Sequence, residues 1–342
     1  MRVNRESLVR IARETAQERS FNNRNIIAAY LTGSLAAEGE PMLGGTTDID
    51  LVFVHNIPPA KEREIVKLTP DFHLDIRHRN KSEFRSPREL RTDPYLGTEM
   101  YDPMLISQTE KLFEFVQAGL RAGFEFNAPS LVLARSRKLL AEARKHWMGL
   151  AEAAIVGAGA PEVKRYLDAL AAAANAVAEL TGGPLAERRL LVEFPARAEA
   201  AERPDFTEGL FQLVGADRIE PGVLSGWLRA WGADFLAAAQ DTRVDLDIHP
   251  ARYNYYEKAI QALLAGETPM TALWPLIHSW TLACQVIDPQ QTGEWRAAAK
   301  QLGLLGDDLE QRASALDQYL DKIEIRLDEI ATASGVETSG RL

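Results

Sequence analysis

Asp48 and Asp50 stand one residue apart at the start of the segment DIDLVFVH, Asp48–His55. The apolar, β-branched run behind them reads as a buried strand. Residues i and i+2 of a strand point to the same face, so the two carboxylates lie side by side. Like charges that close repel unless a cation sits between them. Carboxylate oxygens are hard donors, and Mg²⁺ takes one or two of them with water and phosphate oxygens completing its shell. Upstream, Gly33 and Ser34 follow another apolar run, IIAAYL, Ile26–Leu31. A glycine lets the backbone approach a phosphate closely. Ser34 adds a hydroxyl and opens the short helical piece LAAEGE, whose first amides suit an anion. A third carboxylate, Asp75, lies within FHLDIRH, Phe72–His78. An acid in a buried strand pattern asks for a partner. If this strand lies beside the second, Asp75 joins the pair. Three carboxylates can bridge two metals, or hold one while the third accepts a proton from an attacking hydroxyl.

These residues need a scaffold. An amphipathic helix opens the chain, with Leu8, Ile11 and Ala12 on one face, and Asn22-Asn23 break it. The three apolar runs are strands. Pro58-Pro59 stop the second, and the charged piece AKEREIVKL after them reads as a helix. This is a small α/β unit. From about residue 130 the texture is helical and rich in Ala, Leu, Glu and Arg. Ser130 reads as an N-cap, Pro161 as a first helical residue, and Gly182-Gly183-Pro184 as a stop. Further helices start near Pro221, Pro250, Met270 and Asp307, which together suggest an all-α bundle. The last residues, ETSGRL, read as a frayed tail.

Composition narrows the function. The 342 residues are enough for two domains, and a 46% hydrophobic, 26% charged composition is that of a globular protein. With 39 Lys+Arg against 49 Asp+Glu, the net charge of −10 argues against nucleic acid as the partner. Cys284 is the one cysteine, which excludes an intramolecular disulfide and a multi-cysteine zinc site. The sequence has no apolar run long enough for a membrane helix, and its N-terminus lacks a signal-peptide core. The expected setting is the cytoplasm, with no membrane partner.

Gly33-Ser34, then Asp48-x-Asp50 on a strand, then Asp75 on a later strand resembles the nucleotidyltransferase superfamily with the polymerase β-like fold. Leu31-Thr32 and Leu51-Val52-Phe53-Val54 fit the same pattern. The resemblance covers residues 25 to 80. The long helical remainder is similar to that of small-molecule, aminoglycoside-type nucleotidyltransferases. It implies an α+β protein, with a small mixed-sheet catalytic domain over 1–125, a helical C-terminal domain over 126–335, and the active site in the cleft between them. It implies Mg²⁺-dependent transfer of a nucleoside monophosphate from an NTP, ATP first among them, to a hydroxyl of a small acceptor, with pyrophosphate released. On that reading Asp48, Asp50 and Asp75 are the catalytic metal ligands. Gly33 and Ser34 hold the triphosphate. A cation opening the long helix, among Arg135, Arg137 and Lys138, reaches the outer phosphates, with Lys138 as the nucleotide-binding one. A homodimer is allowed. Two other readings stand beside it: a nucleotide-binding regulatory protein without turnover, and a transferase that modifies RNA or protein.

Each feature also has a plainer reading. Asp48 and Asp50 could cap a strand start, and Asp75 could pair with Arg77 or Arg79. The basic stretch 77–91 reads as a solvated surface. Trp227, Trp231, Trp274, Trp280, Trp295 and the tyrosines Tyr253, Tyr255 and Tyr256 read as core, and His249 and His278 as structural.

Overall fold

The computed structural model describes residues 4–37, 39, 41–84, 86–121, 127–151 and 157–336. The tail ETSGRL, the end of LAAEGE, the end of the helical run after Ser130 and the boundary at residue 125 fall wholly or partly outside them. The chain is α+β and divides into two compact units, Met1–Phe126 and Asn127–Leu342.

The N-terminal unit begins with α1 (Arg5–Asn22). Asn4 caps it, accepting from the Ser7 amide at 2.9 Å while Ser7 Oγ accepts from the Asn4 amide at 3.0 Å. This reciprocal pair satisfies amides that the first turn cannot. Leu8, Ala12 and Ala16, one helical face, are buried. There follow β1 (Ile26–Leu31), α2 (Gly33–Ala36), β2 (Thr47–His55), β3 (Arg63–Lys67) and β4 (Phe72–Asn80). The unit is completed by α3 (Pro87–Arg91), α4 (Leu96–Tyr101), β5 (Met104–Gln108) and α5 (Leu112–Arg121).

The five strands form one mixed sheet in the order β3-β4-β2-β1-β5. β2 and β4 run parallel, and the other three pairings are antiparallel. Ile49, Leu51, Phe53, Leu74 and Ile76 pack with α1 on one face. Tyr30, Val52 and Val54 pack with Phe84, Leu90, Met100 and Phe113 on the other.

The segment AKEREIVKL is where the helix reading fails. Its centre is the strand β3, an edge strand that forms a hairpin with β4. Thr69 closes the turn, its Oγ1 accepting from the amides of Asp71 and Phe72 at 3.2 and 3.1 Å. Ile65 and Val66 favour the extended chain, and Arg63, Glu64 and Lys67 suit an edge that must not recruit another strand.

Among its described residues the C-terminal unit holds helices joined by turns and loops, and no strand. Its helices are α6 (Pro129–Ala151), α7 (Ala160–Ala178), α8 (Leu190–Ala200), α9 (Asp205–Val214) and α10 (Pro221–Ala238). After them come α11 (Tyr253–Leu264), α12 (Leu273–Cys284), α13 (Gly293–Gln301) and α14 (Asp307–Ala333). Ser130 is not the N-cap of α6, because Pro129 already occupies the first helical position, where its fixed φ is favourable. Trp231, Trp274, Trp280 and Trp295 are buried in this core, and Tyr255 and Tyr256 with them. Trp231 donates its indole N–H to Ser279 at 2.9 Å and Trp280 to Asp234 at 2.7 Å. His278 bonds Glu187 at 3.1 Å, and His249 accepts from the Ala251 amide at 3.2 Å. No described helix is long and apolar enough to cross a membrane.

Candidate metal centre

The parallel pairing of β2 and β4 decides the site. Its register sets Asp50 directly opposite Asp75 and Asp48 opposite His73. In-register residues of paired strands point to the same face. Asp48, Asp50 and Asp75 therefore converge, and one carboxylate oxygen from each lies within 4.8 Å of the other two. Asp48 and Asp75 are buried, 7% and 2% exposed, while Asp50 lies at the partly open edge of the group. At such separations each pair of charges repels by roughly 3 kcal/mol or more at the effective dielectric of a protein site.

Two arginines offset part of this. Arg63, on β3, donates through Nε to Oδ1 of Asp75 at 2.8 Å and through Nη2 to Oδ2 at 2.6 Å. The bidentate fork fixes the plane of the Asp75 carboxylate. Arg77, on β4, reaches Asp50 at 3.9 Å and Glu99 at 3.5 Å. Arg79 shares Glu99, and Tyr30 donates its hydroxyl to the same carboxylate. Burial, reinforced by Glu99, pushes the Tyr30 phenol far up, so it remains a donor. The plain reading of Asp75 named Arg77 or Arg79 as its partner. The structure shows Arg63 as a bidentate partner of Asp75, and helix periodicity in AKEREIVKL would never have set it on this face. The alternation of REIVK, read as a strand, is the signal that finds it.

The turn between β1 and β2 presses on the pair. Thr32 donates its amide to the Asp50 carbonyl at 3.1 Å. Gly33 has φ +67°, and a Cβ there would come within 2.0 Å of Asp50 Oδ2. Glycine is thus required by the Asp50 carboxylate itself, as well as by backbone handedness. Ser34 Oγ is 3.1 Å from Thr47 Oγ1, and Thr47 in turn donates to the Asp48 carbonyl at 3.2 Å. Gly33, Ser34 and the carboxylates therefore form one connected constellation.

Lys138 lies on α6 in the C-terminal unit, exposed, and so belongs to a different unit from the carboxylates. Arg135 is buried and bonded to Glu179, and Arg137 pairs with Asp328 at 2.9 Å. The donor set of three carboxylates is all hard oxygen, which fits Mg²⁺ or Mn²⁺ and disfavours a soft-ligand metal. No protein-family model and no curated protein matches the chain.

Proposed function

We infer that the N-terminal unit is a Mg²⁺-dependent nucleotidyltransferase that passes a nucleoside monophosphate from an NTP, ATP first among them, to a hydroxyl of a small acceptor. The observation that carries this reading is the convergence of Asp48, Asp50 and Asp75 within 4.8 Å, with Gly33 packed against the Asp50 carboxylate. Asp48 and Asp50 would hold the cation, and Asp75 would complete its donor set or a second one. Bound there, Mg²⁺ supplies charge neutralisation for the transferring phosphoryl group and the departing pyrophosphate. Gly33 and Ser34 offer a close backbone approach and a hydroxyl beside that position. Asp75 accepts one bond from Arg63 on each oxygen, and the remaining lone pair of each oxygen could serve the cation or the acceptor's proton. Arg63 holds the carboxylate plane. The setting that goes with this chemistry is the cytoplasm, where NTPs and Mg²⁺ occur together, and a homodimer is compatible with it.

Thermal melting with each of the four NTPs, with and without Mg²⁺, tests the reading. A ligand that binds only the folded state raises the transition by mass action. One NTP should raise the melting temperature only when Mg²⁺ is present, and Asp48→Asn should remove the rise. Melting that is indifferent to every NTP with Mg²⁺, or a rise that survives Asp48→Asn, contradicts it.

A further inference from the structure

The face of the sheet opposite the aspartates carries a second concavity. A five-stranded sheet is roughly 19 Å wide, while a helix with its side chains is roughly 10 to 12 Å across. On this face α1 packs chiefly over β1, β2 and β5, and covers the β3–β4 side less closely. The space that results is a cavity of about 610 Å³, lined by the end of α1, the ends of β1 and β2, both strands of the β3–β4 hairpin and the Pro59–Lys61 loop. That volume lies within the roughly 300–1,000 Å³ typical of small-molecule sites. Its floor is apolar, with Ile26, Phe53, Val66 and Leu74.

One wall is an ordered chain of polar groups. His55 Nε2 is 2.9 Å from His78 Nδ1, and His78 Nε2 is 3.1 Å from a Glu64 carboxylate oxygen. Burial works against the ionised Glu64, but Lys61, His78 and Arg19 outweigh it and keep its pKa low. An ionised carboxylate accepts only, so His78 donates to it through Nε2. His78 Nδ1 is then an acceptor, and His55 must donate to it through Nε2. The remaining nitrogen, His55 Nδ1, is left as an acceptor. His55 is 5% exposed and lines the cavity. Burial lowers the pKa of both histidines, which favours the neutral rings that this bonding pattern calls for. At the rim Glu18 and Glu64 face Arg19 and Lys61, two charges of each sign, so the cavity has no preference for a charged ligand.

We propose that this cavity is a binding site for a small, neutral aromatic or heteroaromatic molecule that offers an N–H or O–H donor to His55 Nδ1. An apolar floor takes the ring, and one fixed acceptor selects the donor. The proposal is independent of nucleotidyl transfer, because the aspartates lie on the other face.

Phenol, anisole and benzoate separate the terms by NMR titration of the full chain, following the ring protons of His55 and His78. Phenol should bind saturably and shift both rings. Anisole, the same ring without a donor, should bind fivefold or more weakly, about 1 kcal/mol by affinity arithmetic, a typical net hydrogen bond. Benzoate, charged, should bind weakest. His55→Phe keeps a ring and removes the acceptor, so phenol and anisole should become equal, with melting temperature checking the fold. Adenine in a parallel titration separates nucleobases from phenols: tighter binding than phenol, with the same two rings shifting, points to the former. No saturable phenol binding, equal affinity for anisole and phenol in the unaltered chain, or tighter binding of benzoate overturns the proposal.

Discussion

In the C-terminal unit the buried carboxylate of Glu179 is bonded by the buried guanidinium of Arg135, each side chain no more than 2% exposed. In the N-terminal unit three carboxylates crowd within 4.8 Å, with Arg63 gripping one and Arg77 standing 3.9 Å from another. The first arrangement pairs opposite charges, so breaking it strands a charge in the core. The second sets like charges together, so removing one relieves strain. Strain of that kind persists where a structure over-determines it, and functional sites are where it accumulates. The contrast separates a carboxylate that belongs to the architecture from three that are suited to a cation.

The largest effect should come from breaking the C-terminal pair. Arg135→Leu leaves Glu179 buried without its guanidinium and should cost about 3–5 kcal/mol, read from urea unfolding at pH 8. Arg135→Leu with Glu179→Leu should recover most of that loss. If the single variant unfolds like the wild type, the pair is not architectural.

The same pair predicts a pH dependence. Burial, outweighing Arg135, pushes Glu179 from its ordinary 4.5 up to about 7. A carboxyl raised in the folded state binds its proton more tightly there than in the unfolded chain. Its contribution is therefore fully present below about pH 4.5 and is lost as pH rises through about 7. Glu179→Gln should flatten that decline in stability between pH 5 and 8, measured as the difference from wild type. An unchanged decline would mean that Arg135 keeps Glu179 ionised throughout.

On the N-terminal side, Gly33→Ala should cost about 1–2 kcal/mol from its left-handed backbone alone. It should also displace Asp50 and abolish stabilisation by Mg²⁺, seen as a melting temperature that no longer responds to the cation. Asp48→Asn should have a smaller effect and the opposite sign. In metal-free buffer its stability should match or exceed wild type, within about 1 kcal/mol. A large loss would place Asp48 with Glu179 among the architectural acids. The smallest effect belongs to Arg77→Gln. Its side chain is 40% exposed and its contacts are long, so stability should change by less than about 0.5 kcal/mol. Cation affinity should rise, because a competing positive charge leaves Asp50.

Much of this was legible in the sequence, and the failures have physical causes. IIAAYL and the LVFV of DIDLVFVH are strands because short continuous apolar runs belong in a covered sheet, and FHLDIRH because its apolar residues alternate with polar ones. Their neighbourhood supplied the aspartates. AKEREIVKL misled because β3 is an edge strand whose residues are only partly covered, so charges dominate it and its apolar signal is short. With it went Arg63, a bidentate partner of Asp75. The strand Met104–Gln108 is only partly buried and sends no comparable signal. In the sequence Gly33 suggests room for a phosphate, whereas its nearer reason, Asp50 Oδ2, is a tertiary contact that no spacing reveals. The core tryptophans and the structural histidines followed from helical periodicity and missing metal spacing.

Electron paramagnetic resonance of Mn²⁺ tests the central claim most directly, since free and protein-bound Mn²⁺ give distinct signals. Titrating the full chain should show saturable binding at one or two sites, displaced by excess Mg²⁺, and Asp48→Asn should weaken it by tenfold or more, about 1.4 kcal/mol. Equal Mn²⁺ binding by the wild type and Asp48→Asn, or none by the wild type, would contradict a metal centre built on Asp48, Asp50 and Asp75.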